Sequence, residues 1–451
     1  AVLLVALVAT SCSRDATDGT SAPTVGQLLG PCPRASEIPC VSESAVQSVE
    51  LVGTNVRLVY SSGRAADRGS WGGWVLDVQR YLDVGANVLI GADGRRYAVE
   101  AMPRRRGEVR TLLVADEDAQ LVDEFDSAGR LVATRDALTG GAIAALKYTD
   151  NGRLRRVDSA NDSPITLSYD GAGHLSRIEA GGLANDVTTD ADGRIVGLAA
   201  RDGSRWRFGY EHGRLVDVAQ PTGATTQFAY GKDGALASIA GPSGQMLSYE
   251  RQEADDRRTL RIESSSGAAW SVEERVDGET TTRRFEEAGA GAVVEVAKKS
   301  HRHVERADGS VVDVDLSPDP RFGASAPVRT RATRTLPSGA TVVSGATRKA
   351  TLTDSADPLA VKRLDAKSTG VETLTWTYDG ASKVVTEMSA EGRTSSWTLD
   401  EVGRAVLSTT PGGPDIATTY DAVGRAAAVE NGDAKWTQTI DPQTGSIAVT
   451  G

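Results

Sequence analysis

The chain restates one short hairpin pattern roughly every twenty residues, and that periodicity confines it to architectures that grow unit by unit. Phe125-Asp126 is followed by Gly129-Arg130-Leu131, Tyr148 by Gly152-Arg153-Leu154, Tyr169-Asp170 by Gly173-His174-Leu175, and Thr189-Asp190 by Gly193-Arg194-Ile195. Tyr210-Glu211 with Gly213-Arg214-Leu215 and Tyr230 with Gly234-Ala235-Leu236 continue the series, and Tyr249-Glu250 opens a unit that fades. The leads from Phe125 to Tyr230 are 23, 21, 20, 21 and 20 residues apart. The pattern returns with Tyr378-Asp379, Leu399-Asp400 before Gly403-Arg404, Tyr420-Asp421 before Gly424-Arg425, and Ile440-Asp441 before Gly445.

One unit can be read physically. Ahead of each lead, apolar residues stand at minus two and minus four: Ile165, Leu167, Tyr169; Trp206, Phe208, Tyr210; Thr226, Phe228, Tyr230. A period of two is the signature of a half-buried strand and puts the ring on the face of its two predecessors. The Asp and Gly that follow supply the turn, since glycine reaches positive φ freely and Asp bonds the backbone two residues on. After the turn, Leu175 and Ile178, or Leu236 and Ile239, are three apart, which demands either a bulge or a sheet covered on both faces.

Composition agrees. Glycine is 48 of 451 residues, aromatics are 5%, and no window holds a sustained helical period with caps, so many turns and little helix are expected. A net charge of −11 argues against a nucleic-acid partner, which needs a basic face. The basic run Pro103–Arg110 reads as solvated surface, because it has no interleaved aromatic platform.

The opening run AVLLVALVATS, residues 1–11, ends in small residues before Cys12, as the apolar core and cleavage zone of a bacterial secretory signal do, and is too short to span a bilayer. ATSC, Ala9 to Cys12, resembles a lipobox, although Ala9 stands where leucine is usual; lipidation of Cys12 is the expectation, and the signal reads as clipped at its start. Cys32 and Cys40 then remain as a pair that an oxidising compartment would bridge, the alternative being two free thiols in a flexible leader. Localisation is therefore expected in the bacterial cell envelope or outside the cell.

The expected organisation is a signal over 1–12, a tether over 13–48, a β-rich lead-in over 49–120 with Asp93-Gly94 as a hairpin turn, repeats over 121–250, a degenerate β-rich stretch over 251–370, and repeats again over 371–451. The proline-rich segment Ser317 to Pro327 reads as a break between subassemblies.

The repeat resembles the YD repeat of the rearrangement-hotspot (RHS) and teneurin proteins, most closely in YDAVGRAAAVENG and YDGAGHLSRIEA; WGGWVLDVQRYLDVGANVLIGADGRR is similar to a segment that precedes the array in large bacterial members. The resemblance covers about Trp71 to Gly451. It implies an all-β fold of antiparallel hairpins wound as a spiralling sheet that forms all or part of a hollow shell. In bacterial relatives such a shell encloses a toxin, and in animal ones it belongs to an adhesion ectodomain. A β-propeller is the alternative fold, since two units span about one blade. No toxin domain and no match to the self-cleaving core motif are found within these residues.

Sites for chemistry are scarce. The repeat leads Phe125, Tyr148, Tyr169, Tyr210, Tyr230, Tyr378 and Tyr420 and the turn glycines Gly129, Gly152, Gly173, Gly193, Gly213, Gly234, Gly403 and Gly424 are structural. The arginine after each glycine is expected to pair with the Asp of a neighbouring hairpin, at about 0 to 1 kcal/mol. His301 and His303 would share a strand face and could form half a metal site, but a solvated face is the better reading without completing ligands nearby. His174 and His212 are polar turn residues. TDADGR, Thr189 to Arg194, lacks the later ligands of a calcium loop. The expectation is a non-catalytic protein without cofactor or metal, which encloses or displays another polypeptide. The alternative is a surface module for glycan or protein adhesion using Trp71, Trp74, Trp376, Trp397 and Trp436, each of which alternation places in the core more readily than on a platform.

Overall fold

The computed structural model describes residues 44–65, 70–99, 104–105, 111–432, 434–440 and 447–450. Cys12, Cys32 and Cys40 lie outside them. Among the described residues the chain is all-β, and a single 3-10 turn at Ser62–Arg64 is the one helical piece. From Arg104–Arg105 to Ile447–Thr450 each strand pairs antiparallel with the next. This unbroken order is a ribbon of hairpins and contains no separate blades, so the propeller alternative is not favoured. No described ladder joins the first strand of the ribbon to the last, so it is wound without being hydrogen-bonded end to end.

Local chemistry explains each hairpin. In Ile165–Tyr169, Ile165 and Leu167 are buried while Thr166 and Ser168 are exposed. At the turn, the Gly173 amide donates to the Asp170 carbonyl at 2.9 Å and the Asp170 carboxylate accepts from the amides of Ala172 and His174 at 2.9 and 2.8 Å. The turn glycines expected from the sequence all take φ between +77° and +86°, a region that costs other residues about 1 to 2 kcal/mol. Leu175 then pairs with Tyr169 and Arg177 with Ser168, leaving Ser176 as an extra residue. That bulge restores phase, so Leu175 and Ile178, three apart, are both buried on the inner face. The same shift follows the turns after Tyr148, Thr189, Tyr210, Tyr230, Leu399 and Tyr420. Tyr378 leads a different turn without a register shift; its ring is buried against Leu364 and Val361.

Between Met246 and Thr369 most strands lengthen to eight or more residues and the ladder continues without interruption. The segment Ser317 to Pro327 is therefore not a break. Asp319 pairs with Gly323 inside a hairpin whose strands run Val311–Asp319 and Gly323–Thr335. Its tip docks back onto the start of the ribbon: Phe322 is fully buried in a cluster with Leu113, Val122 and Leu359, and the Arg321 guanidinium donates to the Ala137 carbonyl. Arg321 is itself buried, which lowers its pKa to about 10 and leaves it charged at neutral pH. Arg348 bridges the Asp319 carboxylate at 2.8 Å and the Asp118 carbonyl at 3.2 Å.

Further along, the ribbon meets itself again. Arg404 donates to the Ala160 carbonyl at 3.0 Å, and Gly141 lies so close to the Glu401 carbonyl that a Cβ there would sit 1.7 Å away. Contacts between residues 244 apart, made by side chains and turns, seam successive passes of one winding.

Candidate functional site: a tyrosine column and its cover

The side chains that recur in every unit form a column across the hairpins. Tyr148 donates its hydroxyl to the Leu131 carbonyl at 2.8 Å, Tyr169 to Leu154 at 2.6 Å, Tyr210 to Ile195 at 2.8 Å, Tyr230 to Leu215 at 2.8 Å and Tyr420 to Ala405 at 2.9 Å. Each acceptor is the residue after the Gly-Arg step of the preceding unit, so each of these tyrosines ties its own hairpin to the one before. Where the ring gives out, Arg251 takes over the contact, donating to the Leu236 carbonyl at 2.6 Å. Burial raises the Tyr169 hydroxyl to about 12, so it remains a donor across the neutral range.

The arginines act differently from the expectation. Arg130, Arg194, Arg404 and Arg425 pair with Asp126, Asp190, Asp400 and Asp421 of their own turns, four residues back, at 2.7 to 2.9 Å. The cross-hairpin contact goes to a ring instead: Arg130 stacks over Tyr148 at 5.1 Å, Arg153 over Tyr169 at 5.7 Å, Arg194 over Tyr210 at 5.7 Å, Arg214 over Tyr230 at 5.8 Å and Arg404 over Tyr420 at 4.4 Å. At Arg130, Arg194 and Arg404 the guanidinium held by its own aspartate also lies over the next tyrosine, a contact of about 0.5 to 1 kcal/mol at an exposed site. Asp-x-x-Gly-Arg thus builds a turn and a stacking plate, and Tyr receives the plate from its predecessor.

The inner face of the first repeat block is covered by a three-stranded sheet from the lead-in: Val46–Glu50, Arg57–Ser61 and Trp74–Leu76. Trp74, Tyr60, Leu58 and Leu76 are fully buried and share one core with Ile165, Leu167, Ile178, Leu198, Phe208, Val218 and Phe228. Polar contacts fix the register. The Trp74 indole donates to the Tyr210 hydroxyl at 2.7 Å, the Leu215 amide donates to the Tyr60 hydroxyl at 3.0 Å, and the side chain of Asn185, fully buried, spans both the amide and the carbonyl of Val52 at 3.2 and 3.1 Å. A second small sheet, Tyr81–Asp83, Val88–Ile90 and Arg96–Ala98, turns through Asp93-Gly94 and joins the first array turn through the Leu82 amide and the Gly129 carbonyl at 2.8 Å. The contacts of the first sheet, from Val52, Tyr60 and Trp74, cross 133 to 155 residues of sequence, and no local pattern announces them.

The second block presents the equivalent face more openly. Trp376 and Trp397 are half-buried, and Ile416 and Trp436 are 38% and 43% exposed, whereas Trp71 and Trp74 are 7% and 0% exposed. His301 and His303 do share the outer face of their strand, and carboxylates from the next strand meet them: His301 Nδ1 lies 2.9 Å from Asp315 and His303 Nδ1 2.8 Å from Asp313. Sequence reasoning looked for partners nearby and missed those delivered by the ladder. Among the described residues no three His, Cys, Asp or Glu side chains converge on a metal position. The surface groove between Lys147, Arg155, Arg156 and Thr166 carries charges largely committed to Asp158, which Lys147 and Arg156 meet at 2.7 and 2.5 Å.

Residues 143–285 match the family model described as Teneurin YD-shell, and the match runs past Arg251 into the stretch where the repeat fades in sequence. The chain is 31% identical over 140 residues to double-stranded DNA deaminase toxin A of Burkholderia cenocepacia (strain H111), covering 31% of this chain and 10% of that protein. It is 25% identical over 145 residues to teneurin-4 of Mus musculus, covering 32% of this chain and 5% of that protein. The chain thus spans a tenth or less of the length of these curated relatives. Among solved structures, TcdB2-TccC3-TEV matches at 12% identity with a TM-score of 0.38, covering 80% of this chain and 22% of that one, and TcdB2-TccC3-Cdc42 at 10% identity with a TM-score of 0.35, covering 90% and 26%.

Proposed function

Starting from the YD-shell repeat that residues 143–285 carry, we propose that this chain is a wall, part or all of an exported shell whose inner face encloses or displays another polypeptide. The observation that supports the reading best is the seam. Arg404 on Ala160, Glu401 on Gly141 and Arg321 on Ala137 bring a long ribbon back against its own beginning, as a wall must do to separate an inside from an outside. The role is mechanical and not catalytic: Asp and Arg that recur unit after unit are consumed by turns and stacking. Deamination belongs by name to the Burkholderia relative, a tenth of which is matched. Export, with lipid on Cys12 and a Cys32–Cys40 bridge, completes the proposal.

Single cysteines placed in a chain whose three native cysteines are serine test the wall. Cysteine at inner-facing Ser395 should react with a small maleimide and resist a polymer-linked one, while cysteine at Thr398, on the opposite face of the same strand, should react with both. Equal reactivity toward the large reagent would sink enclosure. The exposure of Trp436 and Ile416 favours adhesion as the second reading; binding of a glycan or protein ligand that a Trp436→Ala variant loses would move the assignment there.

A further inference from the structure

The tyrosine column has one gap inside the covered block, and the gap coincides with the closest approach of the cover. Between Tyr169 and Tyr210 the lead is Thr189, and the arginine that would stack on it is replaced by His174, so both halves of the cross-hairpin contact are missing together. Opposite Thr189 in the ladder stands Ile195, whose amide donates to the Trp71 carbonyl at 3.4 Å. Gly72, at φ +71°, lies against Arg194 so closely that a Cβ would come within 2.4 Å of its side chain. One unit past the gap the cover takes a hydroxyl that the column offers, the Trp74 indole donating to Tyr210 at 2.7 Å, and on the following strand the Leu215 amide donates to the Tyr60 hydroxyl of the cover at 3.0 Å. A ring at 189 would occupy the inner face where the Trp71-Gly72-Gly73 backbone passes.

We propose that the Thr189/His174 gap is the docking mark for the cover sheet: a surface that accepts one occupant, this chain's own Trp71–Trp74 segment, and fixes which units it seals. Hairpins that otherwise repeat give a sliding partner no reason to stop at one register. A missing ring beside the Tyr210 hydroxyl acceptor supplies that reason, admitting backbone at one unit and the Trp74 indole N–H at the next.

The test fills the gap in the full-length chain. Thr189→Tyr combined with His174→Arg rebuilds a standard unit, so the array keeps its own contacts while the cover loses its seat. The expected result is an unchanged β-type circular dichroism spectrum, tryptophan emission shifted to longer wavelength as Trp71 and Trp74 leave the core, and faster proteolysis between Val46 and Ala98. Leu399→Tyr, a lead in the second block, should leave emission and proteolysis as in the wild type. Wild-type emission and protection in the Thr189→Tyr/His174→Arg chain would overturn the proposal. So would a collapsed β spectrum in that double variant, since the rebuilt unit would then have failed for reasons unconnected with the cover.

Discussion

The hydroxyl of Tyr169 donates to the carbonyl of Leu154 at 2.6 Å, one hairpin back. That bond makes the repeat more than a string of turns: the ring closes its own strand's inner row, while its polar tip locks the previous unit's bulge. At Tyr210, which donates to Ile195 in the same way, the hydroxyl also accepts from the Trp74 indole of the cover, so one atom serves both ribbon and lid.

The double use can be weighed. Tyr210→Phe removes the bond to Ile195 and leaves the fully buried Trp74 indole without its acceptor. A net hydrogen bond and an orphaned buried donor together cost about 2 to 4 kcal/mol. Tyr420→Phe loses only the bond to Ala405 and should cost about 1 kcal/mol. Urea unfolding of the two variants checks the difference, and equal losses would mean that the cover adds nothing at this atom.

The seam makes a steric prediction. Gly141 needs no unusual φ, yet a Cβ there would meet the Glu401 carbonyl at 1.7 Å, a backbone atom that cannot swing aside. Gly412 has φ +74° and open space around its missing Cβ. Gly412→Ala should therefore cost only the left-handed penalty of about 1 to 2 kcal/mol, with the shape unchanged. Gly141→Ala should instead part the two passes of the ribbon, read as a larger radius of gyration in small-angle scattering and as amide exchange at residues 136–141 and 401–404.

What the sequence disclosed follows the range of the interactions. The inner row Ile165, Leu167, Tyr169 and the Asp170–Gly173 turn are local, and a period of two with turn residues was enough to read them. The bulge at Ser176 was only half legible: Leu175 and Ile178 required it or a double-sided sheet, and the pairing with Tyr169 decided between them. Arg194 was assigned to the wrong aspartate because repetition offers one at every unit. The turn geometry, which brings residue i+4 back over residue i, selects Asp190. Phe322 and Trp74 were beyond reach for another reason. Each is buried by chain more than a hundred residues away, and proline near Phe322 reads as a break until its hairpin is seen docking.

Acidity should strengthen the middle of the ribbon. The hydrogen bond that His303 donates to Asp313, with Glu305 assisting, raises the pKa of His303 above its ordinary value near 6.5. A raised folded-state pKa contributes stability that is fully present below the unfolded value and is lost as pH rises through the folded one. Denaturant midpoints should therefore fall from pH 5.5 to pH 8, by less in His303→Gln than in the wild type. An identical fall in both would assign the pH dependence to other groups.

The bulges carry the last prediction, because they are the feature that lets a flat repeat become a wound one. Each sits one residue after the leucine position, at Arg155, Ser176, Val196, Val216 and Ala237 in the first block. A bulge increases local right-handed twist and bends its strand. Deleting Ser176 leaves Leu175 and Ile178 on the inner face, since a regular strand resumes alternation from Leu175 through Arg177, so one deletion should be tolerated as a fold. Its curvature would nevertheless be gone. Removing the equivalent residue from successive units should straighten the ribbon step by step until Arg404 no longer reaches Ala160, 244 residues away. Scattering curves of chains with one, two and three deletions should show a radius of gyration that grows with each deletion while the circular dichroism stays β-type. A series of unchanged radii would place the winding in the cover and the long middle strands instead.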